Sequence, residues 1–158
     1  MVNNVKYANL IKNDVVNGEG ICVSLWTQGC PFRCPGCHNP ETWSFEGGKE
    51  VPTDIKGQII KAISDNEITR NFSVLGGEPL CPPNLDFVTN VVTAVRTAYP
   101  NIKIFIWTGN EYEDIKDYPI LEKIDVLITG LYKEEERDIT LPLRGSKNQK
   151  VLRKGIDF

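Results

Sequence analysis

Hydrophobic residues recur along this chain at two spacings, one typical of buried strands and the other of amphipathic helices. Segments rich in apolar residues predict strands at residues 21–27, 72–75, 101–107 and 126–129, and a further strand is expected at 150–153 in the less regular tail. Apolar residues three and four positions apart predict helices at 54–64 and 85–99 and a short helical turn at 120–123. Thr53 or Asp54 is expected to cap the first of these helices. Strands that alternate with helices in this way favour βαβ units and a mostly parallel sheet.

The residues with the most unusual chemistry follow directly after three of the predicted strands. A loop rich in Pro, Gly and Cys spans residues 29–43, a Gly-Gly-Glu-Pro segment spans 76–79, and a Thr-Gly-Asn segment spans 108–110. Because the carboxyl ends of parallel strands meet at one edge of a sheet, we expect the three segments to form one active face. A full eight-stranded barrel needs about 250 residues. The 158 residues of this chain therefore predict an α/β fold with an open, partial (β/α) barrel, formed by one domain over residues 1–158.

Charge and hydropathy exclude some classes of partner. The net charge is −3, and the most basic stretch, residues 144–154, is short, so no nucleic-acid partner is expected. No apolar run approaches the roughly 20 residues that span a bilayer. Residues 1–6 lack the basic and then apolar pattern of a secretory leader. These features predict a cytoplasmic protein without a membrane span. The acidic run at 134–136 is expected to be a solvated turn.

Three of the five cysteines, Cys30, Cys34 and Cys37, fall within one loop, a layout that favours a metal centre over a disulfide framework. A structural zinc ion takes four protein ligands. His38 is the adjacent candidate for a fourth, but a residue directly beside Cys37 reaches the same centre only with strain. A four-iron cubane bound by three thiolates leaves one iron open, which the amino and carboxylate groups of S-adenosylmethionine can chelate. A non-enzymatic zinc-binding interaction module stays open as the alternative. The remaining cysteines, Cys22 and Cys81, are expected to be buried and structural.

The Gly-Gly-Glu-Pro segment supplies a second set of candidate ligand contacts. Gly76 and Gly77 allow the backbone to approach a ligand closely, and Pro79 fixes the direction of the exit. Backbone carbonyls and the Glu78 carboxylate can accept hydrogen bonds from a ligand that carries an ammonium group. Taken alone, the segment would be an ordinary tight turn. Its combination with a three-cysteine loop one βα unit earlier makes the pattern specific.

These motifs resemble the radical S-adenosylmethionine superfamily, whose signatures are CxxxCxxC, here at residues 30–37, and GGEP, here at 76–79. The segments 17–20, 26–30 and 37–43 are similar to glycyl-radical-enzyme activases, and most of all to the activating proteins of anaerobic, class III ribonucleoside-triphosphate reductases. Residues 106–109, 125–130 and 143–149 agree with this narrower resemblance. Related activases often carry arginine where this chain has Cys22, and the superfamily often has an aromatic residue where Gly36 stands.

The resemblance implies a function and a set of site residues. Cys30, Cys34 and Cys37 would bind a [4Fe-4S] cluster and serve as the catalytic centre. Contacts to S-adenosylmethionine would come from Gly36, Cys37, His38, Gly76, Gly77, Glu78 and Thr108. The 5′-deoxyadenosyl radical would convert a glycine loop of the anaerobic reductase to a glycyl radical, with electrons from a flavodoxin-type donor. Trp43, Trp107 and residues 144–149 are candidates for contact with the reductase. The alternatives are activation of another glycyl-radical enzyme, or radical modification of a small molecule such as a 7-deazapurine precursor.

Overall fold

A seven-stranded mixed sheet organises the computed structural model, which describes residues 5–158. Its strands are β1 (Lys6–Asp14), β2 (Cys22–Thr27), β3 (Lys49–Glu50), β4 (Asn71–Gly76), β5 (Ile104–Trp107), β6 (Val126–Thr129) and β7 (Lys150–Arg153). The helices are α1 (Ile55–Ile63), α2 (Pro82–Ala98) and α3 (Tyr112–Ile115), with short 3₁₀ turns at Pro40–Thr42, Asp65–Glu67, Pro119–Lys123 and Glu134–Glu136. Part of the segment considered for a leader, residues 1–4, lies outside the described residues. No helix within residues 5–158 has the length and apolar character needed to cross a membrane.

The sheet is parallel at its centre and antiparallel at its edges. The strand order is β3-β1-β2-β4-β5-β6-β7, and β2, β4, β5 and β6 are parallel neighbours. Strands β1, β3 and β7 pair antiparallel with their neighbours, so the prediction of a mostly parallel sheet is right for the centre only. The sheet is not closed, since β3 and β7 are its two edges. The antiparallel strands β1 and β3 were not predicted. In β1, charged and amide residues interrupt the apolar positions.

The predicted elements form with small shifts of their ends. Helix α1 matches its prediction, but the expected side-chain cap is wrong: Asp54 makes no capping hydrogen bond, and its carboxylate accepts one from the side chain of Gln58. Helix α2 begins three residues before the predicted start, because two prolines occupy its first turn, where the missing N–H groups cost nothing. Strand β5 begins at Ile104 and not at residue 101. The acidic run at 134–136 is a 3₁₀ turn with no buried residue, which confirms the expectation of a solvated turn.

The two faces of the sheet are covered differently. On one face, α1 and α2 bury a large aliphatic core that includes Ile59, Val88 and Ile104. On the other face a smaller cluster surrounds Phe105, and irregular segments before β2 and before β7 cover it. Alternate residues of β5 therefore face the two clusters, as the pleat of a strand requires.

Candidate active site

The carboxyl ends of the four parallel strands open into one cavity of about 220 Å³ that is continuous with solvent. The loops after β2, β4 and β5 contribute the three segments expected from the sequence. The predicted residues that line the cavity are Cys30, Cys34, Cys37, His38, Gly76, Gly77, Glu78 and Thr108. Gly36 is exposed at the rim, where an added Cβ would meet the side chain of Glu134. The sheet topology thus brings together groups that lie up to about 80 residues apart in the sequence.

Each of the three loop cysteines accepts a hydrogen bond from the backbone. The sulfur of Cys30 accepts from the N–H groups of Phe32 and Arg33. The sulfur of Cys34 accepts from the N–H of Tyr132, and that of Cys37 accepts from the N–H of Asn39 at 3.4 Å. Burial raises the pKa values of the Cys30 and Cys34 thiols, while these hydrogen bonds act in the opposite direction. N–H donors directed at sulfur stabilise a thiolate, the form that binds iron.

The arrangement of the thiols meets the requirement of a cluster. Within residues 5–158, no three His, Cys, Asp or Glu side chains are close enough together to hold a single metal ion. A cubane requires something different, because each thiolate binds its own iron atom. The three sulfurs line one cavity and keep backbone N–H donors, so this donor set fits a cluster with three protein ligands. Cys22 and Cys81 are buried, as expected, and each donates its thiol proton to a backbone carbonyl.

Backbone hydrogen bonds hold the cysteine loop to its own return segment. The N–H of Gly29 donates to the carbonyl of Thr42 at 2.7 Å, and the N–H of Cys30 donates to the carbonyl of Trp43 at 3.1 Å. The buried side chain of Gln28 donates to the carbonyls of Glu41 and Ser44. His38 lies at the loop surface, with its ring centroid 5.2 Å from that of Tyr132.

Gly76 and Gly77 are required where the second loop touches the first. Gly76 has φ = 109°, and a Cβ there would lie 2.6 Å from the backbone nitrogen of Thr27. A Cβ on Gly77 would lie 2.4 Å from the carbonyl oxygen of Gly29. Both clashes are with backbone, which cannot rotate away. The two glycines therefore allow the Gly-Gly-Glu-Pro segment to pack directly on the entrance to the cysteine loop.

The Glu78 carboxylate is buried at the floor of the cavity, with 1% of the residue exposed. It accepts hydrogen bonds from Leu80 N–H at 2.9 Å, Thr108 Oγ1 at 2.8 Å and Gly109 N–H at 2.7 Å. The hydroxyl oxygen of Thr108 itself accepts from the backbone and side chain of Asn110, so its proton is directed at the carboxylate. Burial raises the pKa of Glu78, and the three donors oppose that change. Since all three neighbours donate, their geometry suits an ionised carboxylate, and no cation is among these partners.

A fourth wall of the cavity was not predicted as part of the ligand site. Gly130 and Tyr132 follow β6, and Gly145 and Gln149 precede β7. The side chain of Gln149 joins the two ends of this segment: its amide donates to the Gly130 carbonyl, and its oxygen accepts from the N–H groups of Gly145 and Ser146. The sequence offered the strand end at 129–130 as a signal, but residues 144–149 were interpreted only as a partner contact.

An open α/β sheet with a three-cysteine loop at its active edge is the architecture of an iron–sulfur protein. The comparison with protein families agrees, because the model described as a 4Fe-4S single cluster domain matches residues 16–152. That match covers most of the chain and includes every predicted site residue. The family therefore supports iron and sulfide, and not zinc, as the metal centre.

Similar curated proteins show to which class of iron–sulfur protein the chain belongs. An anaerobic ribonucleoside-triphosphate reductase-activating protein of Vibrio cholerae is 38% identical over 89% of this chain and 92% of its own length. The proteins with the same name from Pasteurella multocida (34% identical, 94% of this chain and 98% of its own length) and phage T4 (33% identical, 93% of each) are similarly close. The chain belongs to the family of anaerobic ribonucleoside-triphosphate reductase-activating proteins. It is thus a radical S-adenosylmethionine activating enzyme, with a [4Fe-4S] cluster and S-adenosylmethionine as cofactors.

Proposed function

We propose that this enzyme cleaves S-adenosylmethionine reductively and generates a glycyl radical on an anaerobic ribonucleoside-triphosphate reductase. The observation that carries the proposal is that the three-cysteine loop and the Gly-Gly-Glu-Pro segment face one cavity at the carboxyl edge of a parallel sheet. The relatives, which this chain matches over nearly their whole length, are named for the activation of that reductase. The sheet that carries the site is proposed to be the open, partial barrel of a single radical S-adenosylmethionine domain over residues 1–158.

The chain's own groups have distinct roles in this proposal. Cys30, Cys34 and Cys37 would hold the cluster as its three protein ligands. The bound cluster and S-adenosylmethionine would supply the one-electron cleavage of the sulfur–carbon bond and the hydrogen abstraction from a glycine Cα of the reductase. The backbone carbonyls of residues 76–77 would accept hydrogen bonds from the methionine ammonium. Gly36 and His38 would contact the adenosine.

Glu78 supports the ammonium through its charge. Its carboxylate oxygens already accept three hydrogen bonds, and those partners carry no positive charge. A buried carboxylate without a counter-ion raises the affinity of the site for a cationic group close by. Thr108 contributes mainly through Glu78, since it donates its hydroxyl proton to that carboxylate.

The proposal includes a reduced flavodoxin-type protein as the electron donor and the cytoplasm as the location. A low-potential donor is required because the sulfonium accepts an electron only from a strongly reducing cluster. The open side of the cavity faces solvent and leaves room for a glycine loop. Trp43, Trp107 and residues 144–149 are proposed as its contacts, because Trp43, Trp107 and Gln149 lie at the cavity lining.

Anaerobic reconstitution tests the proposal. The protein is loaded with iron and sulfide, reduced with dithionite and mixed with S-adenosylmethionine, and 5′-deoxyadenosine is measured by chromatography. Electron paramagnetic resonance then follows the glycyl radical on a class III reductase. We expect both signals from the wild type and from Cys22→Ala, and neither from Cys34→Ala. If 5′-deoxyadenosine formed without any glycyl radical on the reductase, another glycyl-radical enzyme or a small molecule would be the substrate. No 5′-deoxyadenosine at all would refute the proposed chemistry.

A further inference from the structure

Asn84 is a buried polar residue that has no role in the proposed function as described above. It is the third residue of α2, and 1% of it is exposed. Its side-chain nitrogen lies 3.1 Å from the carbonyl oxygen of Gln28, 3.3 Å from that of Gly29 and 3.0 Å from that of Glu78. A primary amide has two N–H donors, so the three acceptors share them. One side chain thus binds the entrance to the cysteine loop and the Gly-Gly-Glu-Pro segment together.

The contact between these two loops extends beyond Asn84. The N–H of Glu78 donates to the carbonyl of Gly29 at 2.8 Å, and Gly77 packs against the same carbonyl. Gly29 leads directly into Cys30. The amide of Asn84 therefore holds the cysteine loop one residue before its first iron ligand, and holds the second loop at Glu78.

We propose that Asn84 is a positioning residue that fixes the separation between the cluster and the bound S-adenosylmethionine. This inference rests on the proposed function, because it concerns the same site. The cysteine loop has further backbone anchors at Thr42 and Trp43, so the cluster does not depend on Asn84 for its ligands. The placement of the Gly-Gly-Glu-Pro segment relative to Cys30 does depend on Asn84, through the carbonyls that its amide binds in both loops. Since a misplacement of reacting groups by about 1 Å lowers a rate about 100-fold, a loosened contact affects cleavage more than cluster assembly.

Two substitutions separate the donor chemistry from the shape of the side chain. Asn84→Asp places an oxygen where the donors were, opposite three carbonyl oxygens. Asn84→Leu has a similar volume, removes the donors and adds no charge. Asn90→Asp is the matched control, because Asn90 lies on the same helix with an exposed side chain. When Asn84 is replaced, two of the three carbonyls, those of Gly29 and Glu78, retain another donor, so the fold is expected to persist despite the loss at Gln28.

The experiment uses the full chain, reconstituted anaerobically. Iron and sulfide content and the spectrum of the reduced cluster without S-adenosylmethionine should match the wild type in all variants. Binding of S-adenosylmethionine is measured by titration, with the change in the cluster's electron paramagnetic resonance spectrum as the signal. Both Asn84 variants should bind it more weakly than the wild type, and Asn84→Asp most weakly of all. Formation of 5′-deoxyadenosine should slow by about 100-fold. In the metal-free protein, hydrogen exchange should accelerate at residues 28–30 and 77–79 and stay unchanged in α1.

The possible contrary results are distinct. If both Asn84 variants bind and cleave S-adenosylmethionine like the wild type, the inference is wrong. Loss of the cluster or of the fold in both variants also overturns it, because Asn84 would then serve assembly or stability and not the placement of the ligand. Failure of the wild type to cleave S-adenosylmethionine would instead refute the proposed function.

Discussion

Replacement of Thr108 by valine removes one hydroxyl from the floor of the cavity and nearly preserves the shape of the side chain. Thr108 and Glu78 are 4% and 1% exposed, so solvent does not screen the hydrogen bond between them. A hydrogen bond to a charged group contributes about 1.5–3 kcal/mol. The backbone N–H and the side-chain amide of Asn110 also lose their acceptor, but Asn110 is only half-buried and water can replace both bonds. We expect Thr108→Val to lower the free energy of unfolding by about 2–3 kcal/mol.

Chemical and thermal denaturation of the metal-free protein measure this loss. For a domain of this size, each kcal/mol corresponds to about 2–4 °C in Tm, so Tm should fall by about 4–12 °C. Thr129→Val is the matched control, because Thr129 ends the neighbouring strand β6, is fully buried, and its hydroxyl oxygen has no hydrogen-bond partner among residues 5–158. Removal of an unpartnered buried hydroxyl should leave stability unchanged or raise it by up to about 1 kcal/mol. Equal losses in the two variants would refute the reasoning.

The penalty of Thr108→Val should also depend on pH. Burial raises the pKa of Glu78 above its ordinary value, so Glu78 favours the folded state most at low pH, and this contribution falls as the pH rises through the folded pKa. The Thr108 hydrogen bond opposes that rise in pKa. Without it the pKa rises further, so the penalty should be larger above the folded pKa, where the carboxylate is ionised, than below the ordinary value of 4.5, where it is protonated. A penalty independent of pH would show that the hydroxyl does not interact with the ionised carboxylate.

Three further measurements test other parts of the structure. Gly77→Ala should abolish binding of S-adenosylmethionine to the reconstituted enzyme, because the added Cβ would clash with a backbone carbonyl. Gly57→Ala is the control: Gly57 lies in α1 with open space around it, so this substitution should raise the free energy of unfolding by about 0.5–1 kcal/mol. Burial would raise the pKa of Asp14, but hydrogen bonds from Asn17, Val16 and Ser24 outweigh it and lower the pKa. The wild type should therefore be more stable than Asp14→Asn above pH 3.8, the ordinary value, and lose that advantage as the pH falls through the lowered pKa, as acid unfolding curves will report. Iodoacetamide should modify Cys30, Cys34 and Cys37 of the native metal-free protein. It should spare Cys22 and Cys81, because both are buried and burial raises the pKa of Cys81 to about 11. If mass spectrometry found all five cysteines modified, that result would contradict the burial of these two.

The central strands and helices could be predicted because their apolar patterns are strong. Strands β2, β4 and β6 are mostly apolar and mostly buried, with one serine inside each of β2 and β4, as is typical of strands covered on both faces. The strand β1 escaped prediction for the opposite reason. It lies near the edge of the sheet, pairs antiparallel, and keeps lysine and asparagine at positions that face solvent, so its burial is too incomplete to leave a periodic signal.

The residues of the candidate site also differ in how readily the sequence predicts them. The three cysteines and the Gly-Gly-Glu-Pro segment could be found because their chemistry is concentrated in short, local motifs. Asn84 and Gln149 could not, because their roles depend on carbonyl groups far away in the sequence: Asn84 binds residues 55 and 56 positions earlier, and Gln149 binds Gly130 across the segment between β6 and β7. Backbone carbonyls are present at every residue, so no sequence pattern marks which of them a buried amide will reach.

Glu78 has partners within the chain that the sequence did not suggest, and they explain why the residue is a carboxylate. The contact with a ligand ammonium stays a prediction, and the same oxygens accept hydrogen bonds from Leu80, Thr108 and Gly109 and so join the ends of β4 and β5. A glutamine there could offer one oxygen and one amide group, and the amide would face an N–H donor. The carboxylate satisfies all three donors and leaves a negative charge buried at the floor of the cavity. The same residue can therefore hold two strand ends in register and favour a cation above them, which a neutral side chain of the same shape cannot do.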